Sequence, residues 1–275
     1  MKKKLIYFNF KTSLTSSSEA EKIFKVYHQE SSFFKNQKPK NLEIVLAPPF
    51  LFLSLAVEQL KDKYIFGSQD VFWFNRRPVT GETSPTMLKS FGVKYSLVGH
   101  SERRKHLKED NEIINKKIRA CLENEIVPVL CVGEEKKEGK EGINSFSRKK
   151  TLFNQLNYAL RGIQIKDSSN LIIAYEPVWA IGSGQAENIK EAEKTIALIR
   201  FWLCRRFSEK IANDFLILYG GSVSSSNIKE FLFNQGIDGV LIGSASSKKR
   251  EVEKIFEKIT KFDFNFFQKI ENKHV

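Results

Sequence analysis

The chain has 275 residues, of which 41% are hydrophobic and 12% aromatic, and carries a formal net charge of +13. This describes a globular chain long enough to bury a sizeable core, in one large α/β domain or two small ones, and excludes a disordered chain or one with a ~20-residue membrane span. The positive charge is spread over many segments. Its densest groups, Lys136-Lys137, Arg148-Lys149-Lys150 and Lys248-Lys249-Arg250, are short and not interleaved with aromatics, so the expected partner is an anionic small molecule, with no nucleic acid and no membrane.

Apolar strand-like runs alternate with helical patterns along the chain. Leu5-Ile6-Tyr7-Phe8 reads as the first strand, followed by a helix over residues 17–29 with serines at its start as caps. Met1-Lys2-Lys3-Lys4 has the charge of a signal-peptide start, but the apolar run after it stops at Lys11 and is too short, so a cytoplasmic protein is expected. Ile44-Val45-Leu46-Ala47 is the second strand, closed by Pro48-Pro49, and a helix runs through Leu53, Leu55, Val57 and Leu60. Tyr64-Ile65-Phe66-Gly67 is the third strand. A long loop then reaches Ser84-Pro85, which opens a short helix with proline in its first turn.

Tyr95-Ser96-Leu97-Val98 is the fourth strand, and Asp110 opens a helix through Ile113, Ile114, Ile118 and Cys121. Residues 127–132 form the fifth strand. Leu152, Leu156 and Leu160 mark a helix over residues 146–160. Asn170-Leu171-Ile172-Ile173 starts the sixth strand, with a helix over residues 189–207 after it. Residues 215–219 are the seventh strand, residues 226–234 a helix, Val240-Leu241-Ile242 the eighth strand, and Val252, Ile255, Phe256 and Ile259 line the last helix. Eight strand–helix units without a composition break predict α/β architecture, a single (β/α)8 TIM barrel over residues 1–262. An open doubly wound sheet would place a Gly-rich turn after its first strand, where this chain has Asn9-Phe10-Lys11. Residues 263–275 read as a basic, Phe-rich C-terminal tail. Cys121, Cys131 and Cys204 lack metal or CxxC spacing and read as reduced packing thiols.

The stretch with the most chemistry follows the sixth strand. Glu176 ends the strand and Pro177 blocks its continuation. Val178-Trp179-Ala180-Ile181 is an apolar cover that a solvent loop has little reason to carry, and Gly182-Ser183-Gly184 can turn backbone N–H groups towards an anion. In parallel barrels the chemistry sits at the carboxyl ends of strands. There the chain carries Asn9 and Lys11, His100-Ser101-Glu102-Arg103, Glu176, Gly220-Gly221-Ser222 and Gly243-Ser244. No metal cluster, nucleophile–histidine pair or nucleotide loop is evident in this pattern, so no cofactor is expected.

Several segments resemble the triosephosphate isomerase family, in its order and at its spacing: Asn9-Phe10-Lys11, Thr80-Gly81-Glu82, Gly99-His100-Ser101-Glu102-Arg103-Arg104, Cys131-Val132-Gly133-Glu134, Tyr175 through Gly184, Tyr219-Gly220-Gly221-Ser222-Val223 and Asp238-Gly239. The resemblance covers nearly the whole chain. It implies interconversion of dihydroxyacetone phosphate and D-glyceraldehyde 3-phosphate through an enediolate, in glycolysis and gluconeogenesis. Its counterparts here are Glu176 as base, His100 as neutral electrophile beside a helix N-terminus, and Lys11 as the cation for developing negative charge, with Asn9 beside it and Glu102 either pairing with Lys11 or ordering its surroundings. The family's roles for the base, electrophile and lid are established general knowledge of this enzyme. Phosphate is expected on backbone N–H groups of Gly182, Ser222, Gly243 and Ser244, and Ile181 and Leu241 match residues that keep water from the base. A homodimer is implied, with Thr80 on the loop that enters the neighbouring subunit.

The chain departs from the family pattern at four places. Phe8 and Phe10 replace a glycine and a tryptophan, Arg77-Pro78-Val79 replaces Gly-Ala-Phe at the dimer loop, Ser244 replaces a glycine after strand eight, and Gln185-Ala186-Glu187 replaces a Lys-Thr-Ala-like lid hinge. The alternative function is a barrel-fold binding protein using its basic surface for nucleic acid or a protein partner.

Overall fold

The computed structural model describes residues 2–34, 41–135, 145–165 and 167–260. Every predicted strand forms: β1 (Lys4–Asn9), β2 (Leu42–Ala47), β3 (Ile65–Ser68), β4 (Val93–Val98), β5 (Val127–Val132), β6 (Ile172–Tyr175), β7 (Leu216–Tyr219) and β8 (Gly239–Ile242). Each pairs in parallel with the next and β8 pairs back to β1, so the sheet is a closed barrel rather than an open one. The helices between them are α1 (Ser17–Phe34), α2 (Phe50–Leu60), α3 (Pro85–Ser90), α4 (Ser101–His106), α5 (Asn111–Glu123), α6 (Ser145–Ala159), α7 (Ile189–Arg206), α8 (Glu209–Asp214), α9 (Ile228–Leu232) and α10 (Lys249–Thr260). The predicted tail and Lys136-Lys137 lie outside the described residues.

Local signals set most helix starts. Ser84 accepts from the Met87 N–H with Pro85 at the first helical position, and Asp110 accepts from the Ile113 N–H. Most boundaries shift by one or two residues, and three differences from expectation have a local cause. α1 continues beyond residue 29, where the Ser31 and Ser32 hydroxyls fold back onto the His28 carbonyl rather than break the helix. Asn170 closes a 3-10 turn capped by Asp167, so β6 begins at Ile172. α8 was not foreseen; Ser208 caps it by accepting from the Ile211 N–H.

Strand alternation decides which side chains enter the barrel. Leu5 and Tyr7, Val129 and Cys131, Ile172 and Ala174, Leu216 and Leu218, and Leu241 fill its interior. Gly67 makes room for Tyr7, since a Cβ there would stand 2.2 Å from the Tyr7 hydroxyl, which donates to the Ser68 carbonyl at 2.9 Å. The alternate residues face outward onto the helices. On β1 these are Ile6 and Phe8, with Phe10 just beyond, and the two phenylalanines that depart from the family pattern are wholly buried there. Phe8 meets Tyr27 edge-on at 5.3 Å and stacks on Phe256 at 6.2 Å, while Phe10 meets Phe24 and Tyr27. An aromatic cluster thus fastens β1 to α1 and α10, with each ring pair adding to the burial of its area. Continuing the inward columns one step past the strand ends gives Asn9, Gly133, Glu176, Gly220 and Gly243 on the same rim.

Candidate active site

At the carboxyl rim a cleft of about 410 Å³ is lined by Asn9, Lys11, His100, Glu176, Ile181, Gly182, Ser222, Leu241, Gly243 and Ser244, with Gly220, Gly221 and Val223 completing its wall. Every predicted catalytic and phosphate-binding residue lines this cleft except Glu102, which pairs with Lys11 at its edge. Thr80 is elsewhere, exposed on the loop between β3 and α3.

Glu176 is 2% exposed. Its backbone N–H donates to the Val132 carbonyl at 2.8 Å, and Gly133 beside it is obligatory, because a Cβ there would sit 1.7 Å from the Glu176 carbonyl oxygen. Gly220 admits the side chain from the other flank, where a Cβ would stand 3.0 Å from Glu176 Cγ. The carboxylate accepts from the Ser101 N–H through Oε2 at 3.0 Å, at the start of α4. Its Oε1 makes no hydrogen bond and lies 3.1 Å from His100 Nε2 without the alignment of one. A larger cavity of about 620 Å³ lies behind Glu176, against Gly99, Ser101, Arg104 and Cys131. It contains neither His100 nor Lys11, so the smaller cleft holds the convergent groups.

His100 is the N-cap of α4, and its Nδ1 accepts from the Glu102 N–H at 3.2 Å. An accepting Nδ1 leaves the proton of the neutral tautomer on Nε2, facing Glu176 and the cleft. Gly99 supplies the turn between β4 and this cap at φ +72°. Arg104 locks the turn from behind, donating through Nε to the Gly99 carbonyl at 2.7 Å and through Nη2 to the Cys131 carbonyl at 3.2 Å.

Lys11 has φ 51°, a left-handed conformation that costs a side-chain-bearing residue about 1–2 kcal/mol. Two amide side chains hold it there. Asn9 Oδ1 accepts from the Lys11 N–H at 3.0 Å, and Gln69 Nε2 donates to the Lys11 carbonyl at 2.9 Å and to the Ala47 carbonyl at 3.0 Å. The chain turns so that the ammonium re-enters over Gly243, where a Cβ would come within 3.1 Å of Lys11 Cε. Lys11 Nζ meets Glu102 Oε1 at 2.5 Å, the first of the two roles expected for Glu102. Burial opposes ionisation of Glu102, but the hydrogen bond and charge of Lys11 outweigh it and hold the carboxyl below its ordinary range. Burial pushes the Cys131 thiol well above its ordinary range, with Glu176 adding to the shift, so it packs as a thiol beside the base. Among the described residues, no group of His, Cys, Asp and Glu is arranged to hold a metal.

A sequence profile of triosephosphate isomerase matches residues 4–259. The chain belongs to the triosephosphate isomerase family. It is 38% identical over 249 residues to a triosephosphate isomerase of Dictyoglomus turgidum, covering 90% of this chain and 96% of the relative. Identity is 36% over 256 residues to that of Thermoanaerobacter pseudethanolicus (93% and 99%), and 39% over 246 residues to that of Mycoplasmoides gallisepticum (89% and 93%). As a member of this family the chain is an isomerase built on an eight-stranded parallel barrel.

Sequence reasoning missed the residues that support the family's site. Gln69 carried no signal beyond its place after β3. Lys117 carried one: it falls on the apolar stripe of α5 with Ile114, Ile118 and Cys121, where a charge requires a buried partner. Its partners are Asp70, beside Gln69, and Glu109.

Proposed function

We propose that the chain interconverts dihydroxyacetone phosphate and D-glyceraldehyde 3-phosphate by proton transfer through an enediolate. The observation that carries this reading is the pairing of a buried carboxylate with an imidazole whose other ring nitrogen accepts from a backbone N–H. Glu176 Oε1 is without a hydrogen bond 3.1 Å from His100 Nε2, and the Glu102 N–H occupies Nδ1. In this reading Glu176 takes the carbon-bound proton while the Nε2–H of His100 donates to the carbonyl oxygen next to it. The Lys11 ammonium stabilises the negative charge that develops, and Asn9 keeps Lys11 in place. Backbone N–H groups of Gly182, Ser222, Gly243 and Ser244 receive the phosphate at the glycine-rich ends of β7 and β8 and under the lid. Ile181 and Leu241 exclude water from the carboxylate. The two carbonyl isomers have the same oxidation level, so the proton transfers balance without a redox partner.

The test is isomerisation of glyceraldehyde 3-phosphate by the purified chain in heavy water. The expected product is dihydroxyacetone phosphate carrying deuterium on the carbon that received the proton. Product without any deuterium, or no product, would argue against an enediolate handled by an exchangeable base.

The same reading includes a homodimer. The loop over residues 69–84 is pinned at its base by the Phe72 N–H on the Thr83 carbonyl at 2.9 Å, yet exposes Phe74, Val79 and Thr80, none of which lines the cleft. Arg77 lies over the Phe74 ring at 5.0 Å, so the altered tip keeps one of its aromatic groups ordered by a cation–π contact. Light scattering is expected to give twice the chain mass; a monomer at micromolar concentration with full activity would remove the dimer from the proposal.

A further inference from the structure

The lid, residues 177–187, leaves the barrel after β6 and rejoins it at α7, and both of its ends reach the same guanidinium. At the first hinge the Val178 N–H donates to the Glu134 carbonyl at 3.0 Å, and Trp179 Nε1 donates to Glu134 Oε1 at 3.4 Å. Arg148 Nε stands 3.2 Å from that Oε1. At the second hinge the Glu187 N–H donates to the Tyr219 hydroxyl at 2.9 Å, and Glu187 Oε1 accepts from Arg148 Nη2 at 2.8 Å. The Tyr175 hydroxyl lies between the two carboxylates, 2.9 Å from Glu134 and 3.0 Å from Glu187. Arg148 Nη1 donates to Thr195 Oγ1 at 2.8 Å, which ties the arrangement to α7.

Both carboxylates are about 5% exposed. Burial pushes both above their ordinary range, and Arg148 pulls both back. One cation therefore serves two buried anions, Glu187 at the far end of the lid and Glu134, outside the lid, on which its first hinge is held. Glu187 stands where the family pattern places a small apolar residue, so its half of this bridge is an addition to the hinge. A hinge opens by backbone rotation at a few residues. Here rotation at residue 187 must either carry the carboxylate along with Arg148 or leave buried charges without a partner, which is strongly disfavoured.

We propose that Arg148 is a positioning residue of the lid: by holding Glu134 and Glu187 to one guanidinium it fixes the separation of the two hinges, and so the position of Gly182 and Ile181 over the cleft. Arg148 does not line that cleft. The proposal rests on the isomerase reading for its consequence in catalysis, but its test does not, because inorganic phosphate can probe the cleft without turnover.

The experiment compares wild type, Arg148→Met, Arg148→Lys, Glu187→Gln and the double variant Arg148→Met/Glu187→Ala. Each is measured for its dissociation constant for inorganic phosphate, its kcat and KM with glyceraldehyde 3-phosphate, and its thermal melt. Arg148→Met is expected to weaken phosphate about tenfold and to raise KM in step; Arg148→Lys, which keeps a cation, recovers part of the loss, while the double variant, which still lacks the bridge, stays as weak as Arg148→Met, and a double variant at wild-type affinity would overturn the proposal. A purely structural role would lower the melting temperature and the active fraction while leaving phosphate affinity and KM at wild-type values; that result overturns the proposal. If Arg148→Met fails to fold, the near-isosteric Glu187→Gln decides, with weakened phosphate supporting the proposal and unchanged phosphate overturning it. A wild-type chain that binds phosphate but isomerises nothing removes the proposed function and leaves the hinge to be judged on the phosphate ratios. A wild-type chain that binds no phosphate overturns both.

Discussion

Glu176→Gln is expected to lower the rate of glyceraldehyde 3-phosphate isomerisation by at least ~10²-fold while leaving inorganic phosphate affinity close to wild type, because general-base catalysis contributes roughly 10²–10⁴-fold. The substitution is close to isosteric, and the amide oxygen can still accept from the Ser101 N–H that holds Oε2 at 3.0 Å. The side chain therefore has a reason to stay where it is, between Gly133 and Gly220, where the absence of a Cβ on each makes room. What is lost is the proton-accepting oxygen facing His100. The phosphate groups proposed here, the N–H donors of Gly182, Ser222, Gly243 and Ser244, are untouched, so binding and chemistry separate in this variant. Both proteins must be prepared identically, since an isomerase of the expression host would give equal background in each. Equal rates in the two would mean that Glu176 is not the base or that the activity was never the chain's own.

Lys117→Met is expected to destabilise the fold by about 3–5 kcal/mol, the cost of removing one partner from a buried ion pair. For a domain of this size that corresponds to a drop in melting temperature of roughly 10 °C. Lys117 is 2% exposed, and its Nζ lies 2.6 Å and 2.8 Å from the Asp70 carboxylate oxygens and 2.6 Å from Glu109 Oε1. Arg103 serves the same two carboxylates, at 2.8 Å and 2.6 Å. The group is balanced at two cations and two anions, and the methionine leaves one anion in excess inside the protein.

The loss has a pH signature. Burial pushes Asp70 up from an ordinary 3.8 to about 6, with Lys117 and Arg103 pulling the other way. Removing Lys117 takes away part of that pull and raises Asp70 further. A carboxyl whose folded pKa lies above its unfolded value favours the fold while protonated and loses that contribution as pH rises through the folded pKa. The deficit of the variant relative to wild type should therefore be smallest near the ordinary carboxylate range and widen as pH rises through 6 and beyond. Thermal melts of both proteins across that interval measure it directly. A shift under about 2 °C, with no widening, would mean that Arg103 alone neutralises the pair.

Much of the architecture was legible because its signals are local. Apolar runs bounded by proline, glycine and polar residues marked all eight strands, and Ser84-Pro85 and Asp110 marked helix starts through hydrogen bonds made within three residues. α8 escaped because six residues give too little periodicity to notice, and its cap, Ser208, resembles any loop serine. The site was legible as a set of polar and glycine residues at strand ends, and alternation along the strands aims Asn9, Glu176, Gly220 and Gly243 inward without reference to anything beyond each strand.

What the amino-acid sequence determined by itself was thus the order of most elements and the barrel class, which depend on composition and short-range periodicity, and the rim residues and family resemblance, which rest on short motifs at the strand ends. The tertiary structure alone decided which rim residues meet. Lys11 finds Glu102 91 positions away and Ser101 finds Glu176 75 positions away only because the strands close in one register. It also decided which charges are buried together: Lys117 with Asp70 and Glu109, and Arg148 with Glu134 and Glu187. A single position on a helix face shows that a charge points inward, but not which carboxylate waits there. That choice depends on the packing of distant segments, where the need to pair a buried charge becomes a constraint that no local pattern contains.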